Sequence, residues 1–162
     1  QNLLDLAAFG REHGYIVRFI EFMDVGNTNG WRMDDVVSAA EMVEQINAVW
    51  PIEPVNPHYL GEVADRYRYL DGGGEIGLIS SITKPFCSTC TRARISAKGE
   101  LYTCLFSAAG HDLRALLRAG ADDDELDQVI RGIWKARTDR YSAQRTSATS
   151  GLAKVEMSYI GG

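Results

Sequence analysis

Every cysteine in the chain lies in one stretch, FCSTCTRARISAKGELYTCLF, at Cys87, Cys90 and Cys104. Three is an odd count, and two of the three stand only three positions apart. That is a poor framework for disulfides and a better pattern for metal ligands. The segment is therefore expected to fold around a metal centre. Free thiolates in turn place the chain in a reducing, cytoplasmic setting. Cys87 and Cys90 follow Pro85, which suits a turn that aims two sulfurs at one centre. Cys104 returns thirteen intervening residues later, on the second arm of a predicted hairpin turning at residues 97–99. Side chains alternate faces along a strand, so the length of that turn decides which residues meet. A two-residue loop, Lys98-Gly99, would pair Ala97 with Glu100 and put Cys104 on the face opposite Arg92 and Arg94. A three-residue loop with Gly99 in the left-handed conformation would pair Ser96 with Glu100, Arg94 with Tyr102 and Arg92 with Cys104. The second register is the expectation, and in it both arginines flank the metal centre.

Three thiolates allow two metal readings. One is a closed structural zinc with His111 as fourth ligand, since Cys3His is an accepted set; His58, in a connector, is a poorer donor. The other is a [4Fe-4S] cluster in which one iron has no protein ligand and stays open to substrate. Arg92 and Arg94 bear on the choice. Guanidinium groups cannot be deprotonated and bind phosphate in a fixed forked geometry. Taken together, three sulfurs and two permanent cations read as a binding site for a small anion.

The rest of the chain frames this segment. NLLDLAAFGREHG reads as the end of a helix with Leu3, Leu6, Ala7 and Phe9 near one face and Gly10 or Gly14 as its cap. Such an opening suggests the C-terminal part of a longer enzyme. YIVRFIEFM, residues 15–23, is apolar on both faces and reads as a strand buried on both sides. Its Arg18 and Glu21 are expected either to pair or to face a ligand at the mouth of a barrel. DVGNTNGWRMD is a loop, and a helix is predicted over 35–50, ended by Pro51. Strand, loop and helix make one unit of an α/β barrel or open sheet, whose ligands meet the loops after the strands. Pro51, Pro54 and Pro57 predict an extended connector. EVADRYRYL and EIGLISSI predict a hairpin around DGGG. Beyond the cysteines, HDLRALLRAG and DDELDQVIRGIWKAR are two short amphipathic helices, with Asp122, Asp123 and Asp124 at the start of the second. YSAQRTSATSG reads as mobile. A net charge of −5 argues against non-specific nucleic-acid binding, and no apolar run approaches the roughly 18 residues of a membrane span.

FCSTCTRARISAKGELYTCLF closely resembles the C-terminal motif of the GTP 3′,8-cyclase family of molybdenum-cofactor biosynthesis (molybdenum cofactor biosynthesis protein A). RFIEFMDVGNTNGW is similar to that family's last barrel strand and following loop, and the final GG to its glycine tail. The resemblance implies an α/β fold: the C-terminal end of an incomplete (β/α) radical S-adenosylmethionine barrel over residues 1–50, then an α+β extension with an auxiliary cluster over 51–162. It implies that Cys87, Cys90 and Cys104 ligate the auxiliary [4Fe-4S] cluster, that Arg92 and Arg94 bind GTP through its triphosphate, and that Met23 contacts S-adenosylmethionine. Gly161 and Gly162 are implied in a tail that reaches the active site and is needed for turnover. In the family a second, N-terminal [4Fe-4S] cluster cleaves S-adenosylmethionine to a radical that abstracts hydrogen from GTP. The C-x3-C-x2-C motif of that cluster is absent here, so this chain alone is expected to be inactive. A homodimer and a pathway link to a cyclic pyranopterin monophosphate synthase are also implied. The rival readings are a non-catalytic zinc module and the auxiliary-cluster domain of another radical enzyme.

Overall fold

The structure is a computed structural model that describes residues 2–145 and 153–160. It is a mixed α/β fold with two open sheets. Contacts divide the chain into two units, one of residues 1–23 and 31–89, the other of Asp24–Gly30 and Cys90–Gly162.

The first unit is built on a four-stranded sheet. Helix α1 (Asn2–His13) leads into β1 (Val17–Ile20), and helix α2 (Ala39–Val49) leads into β2 (Ile52–Val55), β3 (Asp65–Tyr69) and β4 (Glu75–Ile79). The spatial order is β1-β4-β3-β2. The β3–β4 hairpin forms as expected, while β1 pairs with β4 in parallel, Val17 opposite Ile76 and Phe19 opposite Leu78. The two helices supply one layer over the sheet. Ile46, Tyr69 and Ile76 make one buried cluster, and Ala39, Met42 and Leu78 another; Leu3, Phe19 and Tyr67 pack against both. Arg11 closes the end of this layer. Its guanidinium lies 4.2 Å over the Tyr69 ring and donates to both carboxylate oxygens of Asp71.

Several expectations for this unit are corrected. The 15–23 stretch is not buried on both sides: only Val17–Ile20 is strand, and its residues alternate half-buried and exposed. Val17 and Phe19 face the helices, whereas Ile20 is 53% exposed. Nor do Arg18 and Glu21 pair. Glu21 is 1% exposed and its carboxylate accepts from the Ala39, Ile82 and Thr83 backbone N–H groups and the Thr83 hydroxyl. It is a structural tie between the start of α2 and the chain after β4. Helix α2 starts at 39, not 35, because Ser38 and Glu41 form a reciprocal capping box there. Residues Met33–Asp35 make a separate 3-10 turn. The proline connector contains an edge strand, β2; Pro54 is tolerated at an edge, where its missing N–H costs no ladder bond. In α1 the buried residues are Ala7 and Gly10, and Leu6 and Phe9 are about half exposed, at 51% and 49%. Gly10 is buried because β1 crosses close by: a Cβ there would meet Val17 Cγ2 at 2.5 Å. The end of the helix falls to Gly14, at φ +70°.

The second unit has a three-stranded antiparallel sheet, β5 (Arg94–Ile95), β6 (Glu100–Tyr102) and β7 (His111–Asp112), followed by helices α3 (Leu113–Arg118) and α4 (Asp123–Ala136). Both helices form where amphipathic spacing put them. The Asp112 carboxylate accepts from the Ala115 N–H at 2.9 Å, and Asp122 and Glu125 close a capping box on α4. Residues Tyr141–Gln144 form a 3-10 turn, and Tyr141 stacks on Phe106 with ring centroids 4.5 Å apart. The start of the stretch read as mobile is thus packed; its residues 146–151 lie outside the described ones, as do Gly161 and Gly162. Among the described residues no helix is long and apolar enough to cross a membrane.

Candidate functional site

The hairpin carrying the arginines adopts the register expected for a three-residue loop. Arg94 opposes Tyr102, and Ile95 opposes Leu101. The Ser96 N–H donates to the Glu100 carbonyl at 2.9 Å and the Gly99 N–H to the Ser96 carbonyl at 2.9 Å. Gly99 sits at φ +79°, a region a Cβ makes costly. Helix α3 seals the turn, since the Leu113 and Arg114 N–H groups both donate to the Gly99 carbonyl. The ladder ends at Arg94 and Tyr102. The expected pairing of Arg92 with Cys104 is therefore not part of the sheet, and both residues lie two positions beyond it, in irregular chain.

All three cysteines are of intermediate exposure. Cys87 opens a 3-10 turn, Cys87–Thr89, whose Thr89 N–H donates to the Phe86 carbonyl. Cys90 follows directly. The exposed Arg92 reaches back to it, with Nη2 3.4 Å from the Cys90 sulfur. Burial alone would push this thiol up. Hydrogen bonds from the Arg92 backbone and guanidinium, with the charges of Arg92 and Arg137, outweigh it and hold the thiol below its ordinary value. Among the described residues, however, no three His, Cys, Asp or Glu side chains are gathered as a set that could hold a metal ion. That includes the zinc set with His111, which is exposed on β7 opposite Leu101. What fits an iron–sulfur group is the chemistry of the donors: three reduced, accessible thiols in C-x2-C-x13-C order, one biased toward thiolate by a neighbouring cation.

Met23 is half-buried and immediately precedes the loop Asp24–Gly30. That loop holds an arrangement which sequence reasoning missed. Asp24 is 3% exposed. Its Oδ2 accepts from Lys154 Nζ at 2.9 Å and from the Tyr141 hydroxyl at 2.7 Å, and its Oδ1 accepts from Arg145 Nε at 3.0 Å. Lys154 Nζ also donates to the Asp24 carbonyl at 2.7 Å. Burial would push the Asp24 carboxyl up, but the hydrogen bonds from Lys154, Tyr141 and Arg145, with the Arg145 charge, hold it below its usual range. Burial likewise opposes the Lys154 charge, and its bonds to Asp24 and Tyr141 more than restore it. The partners are separated by more than a hundred positions, Lys154 by 130, so no local pattern could announce them.

Comparison with known proteins places this sequence in a lineage. Residues 15–143 match the sequence pattern of the Molybdenum Cofactor Synthesis C family. The chain is 51% identical to a GTP 3′,8-cyclase of Acidothermus cellulolyticus over 98% of its own length and 51% of the relative's. It is 49% identical to the GTP 3′,8-cyclase of Synechococcus sp. (strain WH7803), over 99% of this chain and 45% of that one. The figure for the enzyme of Xanthomonas campestris pv. campestris (strain B100) is 48%, over 99% and 47%. The chain thus spans about half the length of the curated relatives it matches. A match covering most of the chain decides its descent: this protein belongs to the Molybdenum Cofactor Synthesis C family.

Proposed function

We propose that the chain is the C-terminal, substrate-binding part of a GTP 3′,8-cyclase. That enzyme converts GTP to (8S)-3′,8-cyclo-7,8-dihydroguanosine 5′-triphosphate by radical S-adenosylmethionine chemistry in molybdenum-cofactor biosynthesis. The observation that carries the reading is identity near one half, sustained over 98–99% of the chain, to relatives named for that activity. Residues 1–50 are the end of the radical barrel and 51–162 the domain of the auxiliary cluster. Cys87, Cys90 and Cys104 hold a [4Fe-4S] cluster, which when bound supplies one iron without a protein ligand as a Lewis-acidic position for the guanine. Arg92 and Arg94 hold the anionic end of GTP. Arg92 suits this because its guanidinium already borders Cys90, and Arg94 because β5 fixes its backbone. Anchoring both ends of the nucleotide fixes the ribose between them, which is what a positioned radical reaction requires. Met23 contacts S-adenosylmethionine, and Gly161 and Gly162 serve turnover. With all three cysteines committed to one cluster, radical generation is assigned to the remainder of a longer, cytoplasmic, homodimeric protein whose product passes to a cyclic pyranopterin monophosphate synthase.

The test is GTP affinity in the full-length, anaerobically reconstituted protein. Replacing both arginines, Arg92→Ala with Arg94→Ala, should weaken GTP binding about tenfold or more, the loss of two charge-assisted contacts. Unchanged affinity removes the nucleotide assignment. Reconstituted full-length protein that holds one zinc, with iron and sulfide for no more than one cluster, removes the auxiliary cluster assignment and leaves the zinc module in its place.

A further inference from the structure

We propose that Asp24, Lys154 and Tyr159 are positioning residues: together they form a lock that fixes the register of residues 153–160, the stretch that leads in sequence to Gly161 and Gly162. The inference rests on the reading above, in which Gly161 and Gly162 serve turnover.

Residues 153–160 have almost no structure of their own beyond the turn Met157–Tyr159. They are held instead at two places. The first is the loop Asp24–Gly30. Besides the Asp24–Lys154 pair, Asn27 grips the backbone of Lys154 in both directions: its Nδ2 donates to the Lys154 carbonyl at 2.5 Å and its Oδ1 accepts from the Lys154 N–H at 3.2 Å. The Glu156 carboxylate accepts from the Asn27 N–H at 2.7 Å and lies against Gly26, where a Cβ would come within 2.2 Å of it. Gly26 also stands at φ +67°, a conformation that favours glycine, and a Cβ there would displace the Glu156 carboxylate. The second place is the hairpin. The Tyr159 hydroxyl donates to Glu100 Oε2 at 2.9 Å, and the same oxygen accepts from the Tyr102 hydroxyl at 3.1 Å. The Tyr159 ring meets that of Tyr102 edge-on, and Lys98 Nζ lies 5.3 Å above it. Ile160, 1% exposed, is the last described residue.

The chemistry of the first anchor separates a lock from mere packing. Buried Asp, Lys and Arg side chains are a poor way to gain stability, since apolar residues of similar volume do as well or better. A charge pair with forked backbone contacts does what apolar packing cannot: it admits one register of the tail against the loop. A slip of one residue would leave Asp24 buried without its ammonium partner.

The experiment uses the full-length reconstituted enzyme with Asp24→Asn and Tyr159→Phe, followed by hydrogen exchange of residues 153–160, by GTP affinity and by kcat. Each variant should speed exchange in 153–160 and lower kcat, both by about tenfold or more, while the Kd for GTP moves less than about twofold. Tyr159→Phe removes one hydroxyl from a half-exposed ring and carries the test where Asp24→Asn does not fold. Unchanged exchange overturns the lock. So does faster exchange with unchanged kcat, and so does a Kd that rises in place of the kcat loss. A wild-type enzyme that does not turn over GTP would instead remove the cyclase reading, and the exchange measurement would then decide the lock alone.

Discussion

Glu21→Gln is the substitution whose consequence the structure dictates in most detail. Glu21 Oε1 accepts from the Ala39 N–H at 2.8 Å and the Thr83 hydroxyl at 2.5 Å, and Oε2 accepts from the Ile82 and Thr83 N–H groups at 2.7 and 2.8 Å. A glutamine keeps the volume but has one acceptor oxygen and a donor amide. If the amide replaces Oε2 it confronts two backbone N–H groups. If it replaces Oε1, the Thr83 hydroxyl can rotate to accept from it, and the Ala39 N–H alone is orphaned. The second orientation is the better one. One buried orphan donor costs about 1–3 kcal/mol, and the remaining bonds lose charge assistance worth about 1 kcal/mol each. The carboxylate's favourable place at the start of α2 is lost as well, about 0.3–1 kcal/mol. Relief of the desolvated charge offsets part of this. The net expectation is about 2–4 kcal/mol at pH 7, which for a chain of this size lowers the melting temperature by roughly 5–15 °C.

Calorimetry of both proteins across pH tests the reasoning twice. Burial pushes the Glu21 carboxyl up, but the Thr83 hydroxyl and the three backbone N–H donors outweigh it and hold its pKa below the ordinary value. A depressed folded-state pKa means the stabilisation is complete above the ordinary carboxylate value of about 4.3 and is lost as pH falls through the lower folded value. The gap between wild type and Glu21→Gln should therefore stay constant from pH 7 to 5 and close only below about pH 4, where the wild type also becomes neutral. A loss under about 1 kcal/mol at pH 7 would refute the four-donor arrangement. A gap that closes already between pH 7 and 5 would show that burial wins and the group is held neutral.

Two further expectations follow from single contacts. Gly99→Ala places a Cβ at φ +79° and 2.9 Å from Arg114 Cβ, which should destabilise the second unit by about 2–3 kcal/mol; a neutral result in calorimetry would contradict the three-residue turn and the hairpin register built on it. In metal-free protein, Arg92→Ala should raise the Cys90 pKa, since Arg92 supplies the contacts that lower it. Site-resolved alkylation of Cys90 near pH 7.5 should slow by about threefold or more, and an unchanged rate would mean that the guanidinium does not act on the sulfur.

The elements that the sequence announced are those whose cause is local. The β3–β4 hairpin turns at a glycine cluster, α4 begins at a reciprocal Asp122–Glu125 cap, and the β5–β6 register follows from one left-handed glycine. The local pattern misleads where a partner distant in sequence decides. An apolar run with both faces hydrophobic implied a strand buried on both sides, yet β1 pairs only with β4 among the described strands, and its burial alternates. Proline-rich chain implied a connector, because nothing local says that β3 supplies an edge on which Pro54 needs no donor. Helix α2 is the exception, since its cause is local: the Ser38–Glu41 cap starts it four residues inside an apolar spacing that runs on through Val36.

The site divides along the same line. Three cysteines and two arginines are legible because a metal or an anion demands particular atoms at particular spacing, and those demands are written into short motifs. The lock on Asp24 is written nowhere locally: an aspartate in a glycine-rich loop and a lysine 130 positions later carry no joint signal. Only burial identifies them, because a charged pair at 2–3% side-chain exposure must have a reason for being there. If that reason were stability alone, replacing Asp24, Lys154 and Arg145 together by apolar residues of matched size, with Tyr141→Phe, would cost little and could even stabilise the fold, since no charge or hydroxyl of the cluster is left without its acceptor. If it is register, the same combined replacement should keep the melting temperature while hydrogen exchange in residues 153–160 still rises. The lock thus predicts that tail order and global stability come apart, which a purely structural role does not allow.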